Sequence, residues 1–189
     1  LTSTDNGALW TVSNTGLSNL YINRMTSNET YIFVGTNGSG IFRTEDDGLS
    51  WVQMNNGLDD LYIMSMHSVG TILFAGTLSD GVFRSTDYGE NWESMNSGIY
   101  SVGRVFALAS NEEYTFASVS GLLFRSQDYG ENWEQIGNSI GLPVSIRVIG
   151  SNIICGILFG EDLAVSNDNG ETWHFINQGI IANAVWSIS

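Results

Sequence analysis

The chain has 189 residues, with 20 acidic side chains against 6 arginines and no lysine, giving a formal net charge of −14. That balance excludes a nucleic-acid surface and an anionic membrane surface, since both need a basic footprint. A single cysteine, Cys155, excludes an intrachain disulfide, and no apolar run approaches the roughly 18 residues of a membrane span.

Along the chain the first feature is a phrase that returns. Ser3-x-Asp5-x-Gly7-x-x-Trp10 recurs at Thr44, Asp46, Gly48 and Trp51, at Ser85, Asp87, Gly89 and Trp92, at Ser126, Asp128, Gly130 and Trp133, and at Ser166, Asp168, Gly170 and Trp173. The aspartates are spaced by 41, 41, 41 and 40 residues. A fixed period of that size predicts a repeat architecture in which each unit buries its apolar face against its neighbours. The phrase itself predicts a turn between two strands. The hydroxyl and the Asp accept nearby backbone N–H groups, the Gly supplies a positive φ, and the Trp returns to a strand with a large apolar plate.

Residues 61–96 show the rest of one unit. Tyr62-Ile63-Met64-Ser65-Met66 reads as a strand, Ile72-Leu73-Phe74-Ala75 as a buried strand, and Gly81-Val82-Phe83-Arg84 as a third before the box. Trp92-Glu93-Ser94-Met95 follows as a fourth. Four short strands between Gly, Asn, Asp and Ser turns predict an all-β meander, and no helical periodicity is present. The 22 glycines and single proline, Pro143, fit many tight turns. The start of the chain reads as the tail of a third strand, a box and a fourth strand near Leu9–Ser13; Asn183–Ile188, including Trp186, reads as a first strand.

The five phrases resemble the Asp-box, or BNR repeat, of sialidases, sortilin-like receptors, some glycoside hydrolases and photosystem assembly factors. The resemblance covers essentially the whole chain. It implies an all-β β-propeller of four-stranded antiparallel blades with 41-residue repeats, either a five-bladed ring or part of a larger propeller. The single domain 1–189 would hold four full blades plus partial blades at both termini. The resemblance also implies that the box residues Asp5, Asp46, Asp87, Asp128 and Asp168, with their glycines and tryptophans, are structural. Runs such as Gly81-Val82-Phe83-Arg84-Ser85, with Asn96-x-Gly98-Ile99 after the box, also resemble propeller arrays of large secreted bacterial proteins. That implies an extracellular or cell-surface location.

Function is then expected away from the boxes. With the first strand of each blade innermost, the second-to-third loops and the links between blades share the face opposite the boxes, and these segments differ between repeats. Three sets of candidates lie there or in the channel. Asp59, Asp60, Asp80, Glu161 and Asp162 form an acidic set that could hold Ca²⁺ or sugar hydroxyls, although no ligand spacing selects a metal. Tyr21, Tyr62, Tyr100 and Trp186 could stack on sugar rings. Arg24 and Arg147 occupy equivalent slots of the period, with Arg104 three residues ahead of that slot in another repeat, and together could clamp a carboxylate.

The clamp would suit a sialidase, but the Arg-Ile-Pro motif of those enzymes is missing and the only proline follows Leu142. His67 and His174, the only histidines, stand in no Ser-His-Asp pattern, and zinc-type spacing is absent. Arg43, Arg84 and Arg125 precede their boxes at a repeated position, as structural surface residues would. The reading is therefore a non-catalytic binding module, without cofactor or resident metal, that takes a glycan or protein ligand. A sialidase- or xyloglucanase-like glycoside hydrolase and an assembly factor are the alternatives.

Overall fold

The computed structural model describes residues 1–137, 140–158 and 163–176. Their strands form four separate sheets of four, each ordered as it runs in sequence and antiparallel throughout. Blade 1 holds β1 (Ile22–Ser27), β2 (Ile32–Thr36), β3 (Ile41–Thr44) and β4 (Val52–Gln53). Blade 2 holds β5 (Ile63–Val69), β6 (Ile72–Thr77), β7 (Val82–Ser85) and β8 (Glu93–Ser94). In blade 3 the strands are β9 (Val105–Ser110), β10 (Thr115–Val119), β11 (Leu122–Ser126) and β12 (Glu134–Ile136). Blade 4 is β13 (Leu142–Ile149), β14 (Asn152–Leu158), β15 (Leu163–Ser166) and β16 (His174–Ile176). The strand near Leu9–Ser13 expected from the sequence reduces to one bridge between Thr2 and Thr11. Residues Asn183–Ile188 lie outside the described residues.

The first strands β1, β5, β9 and β13 neighbour one another in that order, so they are innermost and the fourth strands lie on the outer rim. Each inner pair carries a register shift: at Ile22/Arg24, Ile63/Ser65, Ser118/Val119 and Pro143/Ser145. Such a bulge lets a strand bend where it enters the crowded centre. The second strands are the driest. Phe33, Phe74 and Phe116 are fully buried, as the continuous apolar runs demand.

The core lies between blades. Phe33, Ile41 and Met54 of blade 1 pack on Ile63, Leu73, Phe83 and Trp92 of blade 2. Phe74, Val82 and Met95 meet Val105, Phe124 and Trp133 in the same way, and Phe116, Leu123 and Ile136 meet Ile153, Cys155 and Ala164. A fully buried side chain of this size contributes about 1.5–3 kcal/mol, so no blade is stable without a neighbour.

On the rim the junction is held by backbone. The N–H groups of Trp51, Trp92 and Trp133 donate to Thr15, Asn56 and Ser97 carbonyls of the preceding unit. The next residue in each case is glycine, and at Gly57 a Cβ would stand 2.1 Å from the Trp92 carbonyl oxygen at a φ of +89°. Only glycine fits there.

Candidate functional site

The boxes are built as closed local networks. In each, the leading Ser or Thr Oγ donates to the Asp Oδ1 at 2.7–2.8 Å. The same hydroxyl accepts the box glycine N–H, and the Asp Oδ1 accepts the backbone N–H four residues on, at 2.9 Å. Ser50, Asn91, Asn132 and Thr172 close the loop by donating a side-chain hydrogen bond to the second Asp oxygen. Those bonds, led by the side chains of Ser50 and Thr172, hold the Asp46 and Asp168 carboxyls down at about 2. The residue before each box glycine is itself left-handed: Asn6, Asp47, Tyr88, Tyr129 and Asn169 have φ between 54° and 61°. The turn pattern places a positive φ at the glycine alone; Asn6, Asp47 and Asn169 carry a signal for the second one, which Tyr88 and Tyr129 interrupt.

Arg43, Arg84 and Arg125 staple each blade to the next. Each guanidinium donates through Nη1 to the carbonyl of that left-handed residue in the following box, at 2.8–3.0 Å. Each also pairs with a glutamate two residues further on: Glu90 at 3.0 Å, Glu131 at 2.7 Å and Glu171 at 2.5 Å. Arg43 and Arg125 lie over the rings of Tyr31 and Tyr114, at 4.4 and 4.9 Å. The three arginines are structural as expected but not surface residues: Arg43 and Arg84 are half-buried and Arg125 is 8% exposed, because each is drawn into the seam between blades.

The link face is organised differently. Tyr21, Tyr62 and Arg104 occupy one register position in blades 1, 2 and 3, because their carbonyls accept the N–H of Asn37, Leu78 and Ser120 respectively. Tyr21 is 76% and Tyr62 46% exposed. The Tyr62 ring lies against Gly38 of blade 1 and so bridges two blades. Asp60 is committed to the backbone, accepting Tyr62 N–H at 2.9 Å and Ser79 N–H at 2.7 Å. Asn19 does the same work in blade 1, accepting Tyr21 N–H and donating to the Asn37 carbonyl. Asp59 is exposed and Asp80 half-buried; the main chain of Asp80, not its carboxylate, bonds Thr77 and Asn96. Tyr100 stands outside the row. It is 70% exposed, with its hydroxyl on Gln135 and its ring 5.9 Å from that of Phe124. Glu161, Asp162 and Trp186 lie outside the described residues.

Arg24 and Arg147 are not equivalent, contrary to the expectation from the period. Arg24 pairs with Gly35 in β2, a place held by Ser145 opposite Gly156 in blade 4, whereas Arg147 faces Ile154. His67 in β5 and Thr26 in β1 are the true counterparts of Arg147, each facing the inner phenylalanine of its second strand. The link before blade 4 is shorter, so counting from box to box misplaces the register. Both arginines are exposed, and Arg24 donates to its neighbour's carbonyl at Asn23. Arg104, expected beside Arg24 and Arg147 in a carboxylate clamp, instead lies over Phe106 at 4.7 Å and joins the tyrosine row. The signal that could have found it was the shared place just before the bulge.

At the opposite ends of β9 and β13 lies a polar cavity of about 440 Å³, lined by Asn111, Glu112, Glu113, Val148, Ser151 and Asn169. Asn111 is spent on structure, donating to Gly150 and Asn169 and accepting from Glu113 and Tyr114. Nearby, His67 Nε2 is 2.7 Å from Ser110 Oγ, and burial pulls its pKa down to about 4. A neutral imidazole bonded to a serine without a carboxylate behind it is packing, not a charge relay. Among the described residues no group of three His, Cys, Asp or Glu could hold a metal ion.

Comparison with known proteins bears on the boxes and the fold. Residues 123–136 match the family model described as BNR-Asp box repeat, and residues 164–175 that described as BNR/Asp-box repeat. No curated protein matches the sequence. Among solved structures, the chain is similar to an ancestral GH74 enzyme (TM-score 0.68, 16% identity, 87% of this chain and 25% of that one). It is similar to YCF48 bound to D1 peptide (TM-score 0.66, 15% identity, 88% of this chain, 62% of that one). It is also similar to the extracellular domain of BT4673 from B. thetaiotaomicron (TM-score 0.71, 16% identity, 88% and 24%). The chain thus spans between 24% and 62% of the length of these proteins, and the likeness is one of fold.

Proposed function

We propose that this chain, a β-propeller built on Asp-box (BNR) repeats, is a non-catalytic binding module that takes a glycan or protein ligand on its link face. The observation that carries the reading is the row Tyr21, Tyr62 and Arg104, which repeats one register position across three blades. Tyrosine offers a rigid apolar plate with a polar tip, and arginine a planar donor fork. Both are the residue types that dominate binding energy where a ligand covers them. The rim arginines hold blades together, whereas Tyr21 and Arg104 on the link face are exposed. The solved complex of YCF48 with a peptide and the extracellular placement of the BT4673 domain support a binding role and a secreted or surface location.

The test is a glycan-array screen and a peptide-array screen of the purified chain, each with and without Ca²⁺, beside turnover assays on a sialoside and on xyloglucan. Saturable binding is expected, weakened about tenfold or more by Tyr21→Ala and by Arg104→Ala with the thermal transition unmoved. Binding untouched by both substitutions would take the ligand off this face. Turnover of either substrate would replace the reading with a glycosidase.

A further inference from the structure

The arginine staples of the interior seams are not alike in charge. Each arginine pairs, within its own blade, with a residue of the fourth strand: Arg84 with Glu93, Arg125 with Glu134, and Arg43 with Val52. Arg84 and Arg125 therefore each hold two carboxylates. Glu93 at 3.7 Å and Glu134 at 2.6 Å come from that strand, and Glu131 and Glu171 come from the next box. Among the described residues Arg43 holds Glu90 alone, at 3.0 Å. The staple is thus net negative in two seams and neutral in the first.

The surface of that first seam differs as well. Val52 is 61% exposed, and between blades 1 and 2 lies a cavity of about 430 Å³ whose lining includes Arg43, Val52, Gln53, Asn56 and Glu90. Its volume falls in the range of small-ligand sites, which join an apolar wall to a few placed polar groups. Gln53 donates its side-chain N–H to the Ser39 carbonyl, and Asn56 donates to Asn91 Oδ1. Among the described residues nothing donates to the side-chain oxygen of either. The lining therefore offers a guanidinium with one carboxylate fewer than its counterparts, two amide oxygens that accept, and an aliphatic patch.

We propose that this seam binds a saccharide bearing a single carboxylate, a hexuronic acid residue. The carboxylate takes beside Arg43 the place that Glu93 and Glu134 hold beside their arginines. One guanidinium fork can serve two carboxylates in this setting, as Arg125 does at 2.6 and 2.5 Å. Ring hydroxyls donate to the Gln53 and Asn56 oxygens, and a C–H face of the ring lies on Val52. A net charge of −14 selects against a polyanion, so the acid group stands alone on an otherwise neutral body. A cavity of this size accommodates a sugar ring whole, whereas a peptide would run out of it along the rim.

Nitrogen–proton correlation NMR of the full chain tests this, in separate titrations with methyl glucuronoside, methyl glucoside and N-acetyl-aspartate methylamide. Saturable shifts of the Gln53 and Asn56 side-chain amides are expected with the glucuronoside. The neutral glucoside and the aspartate derivative should each bind about tenfold more weakly or worse. Val52→Glu builds the second carboxylate into the chain and should weaken glucuronoside binding about tenfold or more, without lowering the thermal transition. Val52→Gln, of the same size without the charge, should keep most of the binding. Tyr21→Ala should leave it unchanged, so this site and the link-face reading are judged separately. No saturable shift, equal binding of the glucoside, equal or tighter binding of the aspartate derivative, or equal losses in the two Val52 variants would each overturn the proposal.

Discussion

The outer rim and the inner strands solve the same problem, joining one blade to the next, by opposite means. On the rim the solution is copied. The same hydroxyl, carboxylate, left-handed pair, glycine contact and arginine staple recur with distances that agree to a few tenths of an ångström. Along the inner strands each junction is improvised: Asn23 donates to Ile63, Ser65 to Val105, Ser118 to Pro143, and His67 pairs with Ser110. The rim commits the hydroxyls and aspartates of its boxes and the three arginines to architecture. The inner strands and their links tolerate different residues, which is the freedom a binding surface needs.

The sharpest way to break that contrast is at the rim glycine. Gly57→Ala sets a methyl 2.1 Å from the Trp92 carbonyl oxygen, at a φ of +89° that alanine resists. Both the clash and the strain fall on backbone that cannot yield without losing the Asn56–Trp92 hydrogen bond. A loss of about 3 kcal/mol or more is expected in a urea melt. The same change at Gly70, whose Cβ would meet nothing within 4 Å, should cost only the price of its φ of +57°, about 1 kcal/mol. Equal costs at the two sites would show that the rim contact is not what fixes the junction.

The pH dependence separates the regions a second way. His67 titrates at about 4 when folded against 6.5 when free, because burial disfavours the imidazolium. The unfolded chain therefore binds more protons between those values. The contribution is whole above pH 6.5 and is lost as pH falls towards 4, by up to about 3 kcal/mol. The box aspartates act later. Asp46 and Asp168 are held at about 2 against 3.8, so their share is whole above pH 3.8 and lost only as pH falls below it. Melting temperatures from pH 7 to 2 should show two steps, and His67→Gln should abolish the upper one. An unchanged profile in that variant would mean the inner strands open to water before the ring protonates.

What could be read in advance divides along the same line. The five boxes, the strand order and the structural place of Arg43, Arg84 and Arg125 were legible because repetition reports a shared backbone requirement. Arg24 and Arg147 were paired wrongly because a period counts residues, whereas register depends on bulges and link length, and these leave no compositional mark. Asp60 looked like a free acid, but its carboxylate is used up by two backbone N–H groups of neighbouring segments. Arg104 was grouped with the wrong partners: it stands in a row with two tyrosines, and only hydrogen bonds from the second-to-third loops reveal that the three places are one.

The smallest effects give the most direct comparison, between two arginines of opposite employment. Arg125→Ala removes a guanidinium that donates to the Asn169 carbonyl at 2.8 Å and holds Glu134 and Glu171 at 2.6 and 2.5 Å. The glutamates are 62% and 64% exposed, so water takes them back and the ion pairs themselves contribute less than about 1 kcal/mol each. The larger share is the carbonyl and the Tyr114 ring left uncovered at a buried junction, for a total of about 2 kcal/mol. Arg147→Ala, on an exposed inner-strand site, should fall within about 0.5 kcal/mol of the parent. High salt should recover little of the Arg125 loss, because most of it is not charge pairing. A coupling to Glu171 well above 1 kcal/mol in a double-mutant cycle would reverse that apportionment and make the rim an electrostatic clasp instead of a packed one.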